Sequence, residues 1–175
     1  MEKIIKTKRL ILRPLCLNDA QAVYDYSGNR DNTKYVTGLP SCNIEEVREY
    51  LSWITDEWNH DSPKYYGFAV ILGDRLIGEI AIGGERGADE VSIGWIIHWD
   101  FWNCGYATEA ATAIIDLCFN TMGINKITAA CDIDNVASRR IMKKLGMKLL
   151  NENEPWEYND GRISKSASYV LTKHS

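Results

Sequence analysis

Polar and apolar residues alternate through Arg9-Leu10-Ile11-Leu12-Arg13 and the alternation stops at Pro14, which predicts a short strand. Asn18-Asp19 then offers a cap for a helix reaching about Ser27. Asn43 offers a cap for a second helix over residues 44–59, where Val47, Leu51, Ile54 and Trp58 recur at helical spacing. After this the period changes to two. Residues 66–72 and 76–82 read as strands joined at the Gly73-Asp74 turn. Gly83 to Gly87 reads as a loop. Val91, Ile93, Trp95, Ile97 and Trp99 then share one face of a strand, with Ser92, Gly94, Ile96 and His98 on the other. A helix follows Gly105, with Ala107, Ala110, Ala111, Ile114, Leu117, Cys118 and Met122 as its apolar stripe and Gly123 as its stop. Residues 126–131 form a strand, and residues 135–145 a helix with Ala137, Ile141 and Leu145 inward. The rest reads as a closing hairpin around Asp160-Gly161. The order is strand, two helices, three strands, helix, strand, helix, two strands, which predicts an α/β sandwich around a mixed sheet.

A chain of 175 residues, 45% hydrophobic and 25% charged, fits one globular domain over its whole length. The net charge of −4 opposes bulk attraction to nucleic acid. The charge is unevenly placed. Residues 18–62 carry nine acids against three bases, so the remainder is net basic, with a run from Arg139 to Lys144. The early segment therefore suits a cationic partner and the later one an anionic partner, and two solvated helix faces explain the same pattern. The five cysteines are odd in number and include no CxxC pair, which reads as reduced thiols in a cytoplasmic protein without a metal framework. Residues 1–15 are charged throughout and lack a signal-peptide core. No run approaches the roughly 20 apolar residues of a membrane span, so no membrane partner is expected.

The most informative stretch is Trp102-Asn103-Cys104-Gly105-Tyr106-Ala107-Thr108-Glu109-Ala110. A strand runs into a short glycine loop and a helix begins at once. Free backbone N–H groups at the positive end of the helix dipole then face an incoming anion, and the small residues let it approach closely. This is a pyrophosphate cradle that needs no lysine, although an ordinary loop has the same look. The sequence contains neither a P-loop signature nor GxGxxG.

Gly105-Tyr106-Ala107-Thr108-Glu109-Ala110 after a strand, Asp134-Asn135-Val136-Ala137-Ser138-Arg139, and Lys144-Leu145-Gly146-Met147 together resemble the GNAT superfamily of acyl-CoA N-acyltransferases. With the opening Thr7-Lys8-Arg9-Leu10-Ile11-Leu12-Arg13-Pro14 they are similar to the branch of bacterial ribosomal-protein N-terminal acetyltransferases. Trp102 stands where the wider superfamily favours Gln or Arg, and an aromatic residue there marks that branch. The resemblance implies a GNAT-like fold with a mixed, mostly antiparallel sheet flanked by helices. It also implies acetyl-CoA as donor without a metal, and an amine as acceptor, either a protein N-terminus or a small molecule. A homodimer is left open.

What the resemblance implies for individual residues is specific. The donor's pyrophosphate would rest on the backbone of Cys104, Gly105, Tyr106, Ala107 and Thr108. Its pantetheine arm would pair with the backbone of Ile96, Ile97 and His98, and Asn135 would bind the arm near the thioester. Ser138 would assist the departing thiolate, and an N–H, that of Ile97, would stabilise the oxyanion. Asn135 also reads as a helix cap, Ser138 as a local backbone bonder, and Glu109 as a structural charge on a helix start.

Glu79 interrupts the apolar run Leu76-Ile77-Gly78-Glu79-Ile80-Ala81-Ile82, which suggests a cleft-facing carboxylate able to take the amine's proton; a solvent-facing strand glutamate is the alternative. Neutralising an α-amine at pH 7 costs about 1.4 kcal/mol against about 4.6 for a lysine side chain, from their ordinary pKa values. A single ambiguous base therefore leans towards an α-amine. A GNAT-like domain that senses acetyl-CoA without turnover, and a nucleic-acid-binding domain built on the Arg139–Lys144 helix, are the competing expectations. The acidic net charge opposes the second.

Overall fold

The structure, a computed structural model, describes residues 3–173. Its strands are β1 (Ile5–Lys6), β2 (Leu10–Pro14), β3 (Tyr65–Leu72), β4 (Arg75–Gly83), β5 (Glu90–Ile97), β6 (Lys126–Asp132), β7 (Lys148–Asn151), β8 (Pro155–Glu157) and β9 (Ile163–Thr172). Its helices are α1 (Ala20–Ser27), α2 (Ile44–Asn59), α3 (Tyr106–Leu117) and α4 (Val136–Lys144). The strands form one sheet in the order β1-β2-β3-β4-β5-β6-β9-β7, with β8 added to β9. Every pairing is antiparallel except β5 with β6. The element order implied a mixed sheet, and the resemblance implied a mostly antiparallel one.

The hydrophobic periods placed most elements. Val47, Leu51, Ile54 and Trp58 are the buried face of α2, and the Asn43 side chain caps that helix by accepting from Glu46 N. Ala110, Ala111, Ile114 and Leu117 are the buried face of α3. A π-helical turn, Cys118–Met122, continues α3 to Gly123, whose positive φ of 77° ends it.

Four expectations are corrected. Asp19 is the N-cap residue of α1, but its side chain makes no cap hydrogen bond: the pair lies in a 3₁₀ turn, Leu17–Asp19, and the buried Asp19 carboxylate binds Arg13 through both oxygens at 2.7 Å. A buried carboxylate gains more from a bidentate guanidinium than from helix N–H groups. Strand β5 ends at Ile97, and Trp99 lies exposed in a 3₁₀ turn, Trp99–Phe101, capped by the His98 side chain. Helix α4 is rotated from the expected phase: Met142 is its buried residue and Ala137 is exposed. Three strands rather than two close the chain, because β7 pairs with β9 as an edge strand.

Candidate active site

The parallel pairing of β5 with β6 lasts for three residue pairs, Glu90 with Lys126, Val91 with Ile127 and Ser92 with Thr128. Beyond that the strands part, β6 staying with β9 and β5 with β4. The parting opens a cavity of about 660 Å³, with Ser92 to Ile96 on one wall, Ala130, Cys131, Asn135, Ser138 and Met142 on the other, and Glu79 with residues of α1 and α2 at its far end. A strand whose neighbour has left exposes unpaired N–H and C=O groups, which is what an amide-bearing chain can pair with.

Strand alternation decides which groups these are. His98 N donates to Ile77 O at 2.8 Å, so residues 98, 96 and 94 turn their backbone to β4. The Ile96 carbonyl points the same way, lying 2.3 Å from where a Cβ on Gly78 would sit. Trp95 and Ile97 therefore turn their backbone to the cleft, where the Ile97 carbonyl accepts the Trp102 indole N–H at 2.7 Å. The expected strand-like pairing through Ile96 and His98 is corrected accordingly. Those two residues serve the sheet, and His98 is otherwise a buried cap for the next turn, its side chain accepting from Asp100 N.

From β5 the chain passes through the Trp99–Phe101 turn into α3. Gly105 is left-handed at φ 81° and caps α3 with no side chain, and the first intrahelical bond runs from Glu109 N to Gly105 O. The N–H groups of Tyr106, Ala107 and Thr108 precede that bond and have no intrahelical partner, as an anion cradle would require. Its charge is not supplied by backbone alone. Arg9 donates to Cys104 O at 3.1 Å, pairs with Glu109 at 2.7 Å and lies over the Tyr106 ring at 4.4 Å. Thr7 Oγ1 and Arg9 N donate to the same Glu109 carboxylate. Partial burial works against the Glu109 charge, but these donors outweigh it and hold the carboxyl below its usual range. Glu109 is thus a latch between the N-terminal hairpin and α3. Arg9 escaped the sequence reading because strand alternation says which face a side chain takes, not which distant helix it meets.

Across the split, Asn135 precedes α4 and its Oδ1 accepts from Ser138 N at 3.1 Å. Cap and cavity-lining residue are therefore one side chain, and the cap leaves the amide NH₂ unused. Ser138 lies in the first turn of α4, and Ser138 and Met142 turn the same face to the cavity. The turn ahead of α4 is braced by the buried Asp132, which accepts from Asp134 N at 2.8 Å and from Tyr158 Oη at 2.5 Å. Neither Asp132 nor Tyr158 was singled out from sequence. Cys131 lines the cavity, but burial pushes its thiol up to about 11, so it is no thiolate near neutral pH. Cys104 is exposed beside the α3 cradle.

Glu79 is buried at 7% exposure, which removes the solvent-facing alternative. Tyr50 Oη donates to its Oε1 in a very short hydrogen bond, and Tyr65 Oη, 3.4 Å away, donates to the same oxygen. The Tyr26 hydroxyl lies close by without being aligned for a good hydrogen bond. Burial raises the Glu79 carboxyl to about 7, and the tyrosine donors limit that rise. Both Tyr50 and Tyr65 are pushed upward by burial and by the Glu79 charge, so they stay protonated as donors. A carboxyl that titrates near neutrality at the end of a cleft is suited to accept a proton. Its partners come from α1, α2 and β3, too far apart in sequence for a spacing to reveal them.

Ile97, His98 and the stretch Cys104–Thr108 do not line the main cavity; they continue the β5 wall through the turn to α3. Among the described residues no cluster of His, Cys, Asp and Glu could hold a metal ion, and no helix is long and apolar enough to cross a membrane.

Comparison with known proteins gives this geometry its setting. Residues 9–148 match the family described as the Acetyltransferase (GNAT) domain. The chain is 36% identical over 146 residues to a Bacillus subtilis protein named Uncharacterized N-acetyltransferase YnaD, covering 82% of each chain. A GNAT-family acetyltransferase from Bacillus anthracis shares the fold with a TM-score of 0.84 at 26% identity, over 98% of this chain and 99% of that one. RimL, a ribosomal L7/L12 alpha-N-protein acetyltransferase solved with coenzyme A, superposes with a TM-score of 0.85 over 97% of both chains; at 16% identity that likeness is one of fold. The split sheet, the glycine-led helix start and the family match over most of the chain agree, and the protein belongs to the GNAT acetyltransferase family.

Proposed function

We propose that this protein transfers the acetyl group of acetyl-CoA directly to a primary α-amine in the cavity between β5 and β6. The observation that carries the reading is the single cavity that brings Glu79, Asn135, Ser138 and the freed edge of β5 together. The donor's pyrophosphate rests on the backbone from Cys104 to Thr108 with Arg9 beside it. Its amide-bearing arm pairs with the cleft-facing backbone of Trp95, and Asn135 binds the arm near the thioester. Without metal or covalent intermediate, the amine nitrogen attacks the thioester carbon and the Ile97 N–H receives the developing oxyanion. Glu79 takes the proton lost by nitrogen. The C–S bond breaks and the thiolate takes a proton from Ser138 Oγ, which water restores from Glu79.

A carboxyl near 7 matches an α-amine, whose ordinary pKa is about 8, far better than a lysine at about 10.4. The RimL likeness points to protein amino termini as acceptors. A proton acceptor and a hydroxyl in one cavity favour turnover over the alternative of an acetyl-CoA sensor. The acidic net charge again argues against nucleic acid as partner. The test is a screen of peptides and small amines with acetyl-CoA, following thiol release. Turnover of an α-amine that Glu79→Gln abolishes at pH 7 is expected. Tight acetyl-CoA binding with no turnover of any amine would overturn the proposal in favour of a sensor.

A further inference from the structure

The acceptor end of the cavity has a one-sided chemistry. Among the described residues that line it, the charged ones are Glu46 and Glu79; none is Lys, Arg or His. Three cations of the surrounding segments have partners of their own. Arg13 is held by Asp19 at 2.7 Å, Arg48 lies 3.6 Å from Glu45 on the exposed side of α2, and the Lys34 ammonium rests 5.0 Å from the centre of the Tyr35 ring. Two of the lining tyrosine hydroxyls, those of Tyr50 and Tyr65, donate to Glu79 and are committed to it. The Tyr26 hydroxyl, wholly buried at 1% exposure and without an aligned partner, lies against the same carboxyl.

An amine arriving here as a cation meets two carboxylates and tyrosine rings, all of which favour it. An acceptor that also carries a carboxylate or phosphate meets no Lys, Arg or His among the described lining residues to pair with the anion, and it leaves water to face Glu46 and Glu79. Burying an unpaired charge beside like charges is strongly disfavoured.

We infer that the acceptor site selects primary amines that carry no anionic group. Free amino acids and amino phosphates are poor acceptors. A peptide amino terminus, whose α-carbon bears an amide, and small amino amides or diamines are good ones. This rests on the proposed acetyl transfer and narrows its acceptor.

The test uses the wild-type protein, acetyl-CoA and matched acceptor pairs: alaninamide with alanine, serinamide with serine, and 4-aminobutanamide with 4-aminobutanoate. Each rate is expressed per neutral amine, so that differences in amine basicity do not enter. The amide should exceed the acid in kcat/KM by at least about tenfold in every pair, as a modest like-charge penalty requires. Equal use of amide and acid overturns the inference while leaving the acetyl transfer standing. No turnover of any amine, peptides included, overturns both. C-terminally amidated peptides against diamines then identify which neutral-bodied amine is preferred, and a preference for either supports the inference. Glu46→Gln keeps an oxygen for the Cys42 N–H that Glu46 now accepts at 2.8 Å while removing the charge. It should shrink the amide-over-acid preference by threefold or more, and an unchanged preference removes Glu46 from the account.

Discussion

Replacing Tyr50 by Phe deletes the closest hydrogen bond to Glu79 and leaves the ring in place. In the wild type, burial raises the carboxyl to about 7 and the tyrosine donors hold it from going higher. A hydrogen bond to a charged group contributes about 1.5–3 kcal/mol. The protonated carboxyl keeps part of that with tyrosine, so the difference between the two protonation states is about 1.4 kcal/mol, or about one pKa unit. Removing the donor favours the neutral form, so the pKa moves up, to about 8. At pH 7 the ionised fraction falls from about one half to about one tenth, and kcat/KM falls about fivefold. Above about pH 9 both enzymes hold an ionised carboxyl and their rates converge. The assay is kcat/KM between pH 5.5 and 9.5 with one fixed amine, whose own ionisation is common to both enzymes. The acid limb of Tyr50→Phe must lie at higher pH. Superimposable limbs, or a loss that is equal at every pH, refute the assignment of Glu79 as the proton acceptor held by Tyr50.

Gly105→Val should weaken acetyl-CoA binding by about tenfold in calorimetry, because a β-branched residue resists the left-handed φ of 81° that shapes the cradle. Ser138→Ala should lower kcat by at least about tenfold while leaving acetyl-CoA affinity nearly unchanged; equal kcat would mean that water protonates the thiolate unaided. Glu79 also links stability to pH. Its folded carboxyl holds a proton more tightly than the ordinary value near 4.5, so between about 4.5 and 7 the folded state binds more protons than the unfolded state and stability falls as pH rises. Urea unfolding should therefore show Glu79→Gln gaining about 2 kcal/mol on the wild type between pH 5 and 8, and a constant difference would contradict the raised value. Finally, kcat/KM for a cationic amine should fall as salt rises, with kcat steady, and charge reversal at Glu45, Glu46 and Glu49 should mimic salt, since exposed charges are screened over about 10 Å at 0.1 M. A flat salt profile would leave the acidic helix as a solvated face.

The sequence by itself determined the elements that carry their own period. Helices α2 and α3, the β3–β4 hairpin and the start of β5 follow from apolar spacing, because burial of a face every 3.6 or two residues is a local property. Gly105 and Asn135 were legible for the same reason, since a left-handed helix start and a side-chain cap involve only neighbours in the chain. Glu79 was legible as an anomaly in an apolar strand. What it does there was not, because its pKa depends on Tyr26, Tyr50 and Tyr65 from three other elements. Local pattern misjudged Asp19, which reads as a cap until Arg13 is seen beside it. It also missed the Arg9–Glu109 latch, whose partners lie a hundred residues apart. The cleft itself belongs to the tertiary structure alone. It exists because β5 and β6 pair in parallel for three residues and then follow different neighbours, and no sequence period records where two strands part.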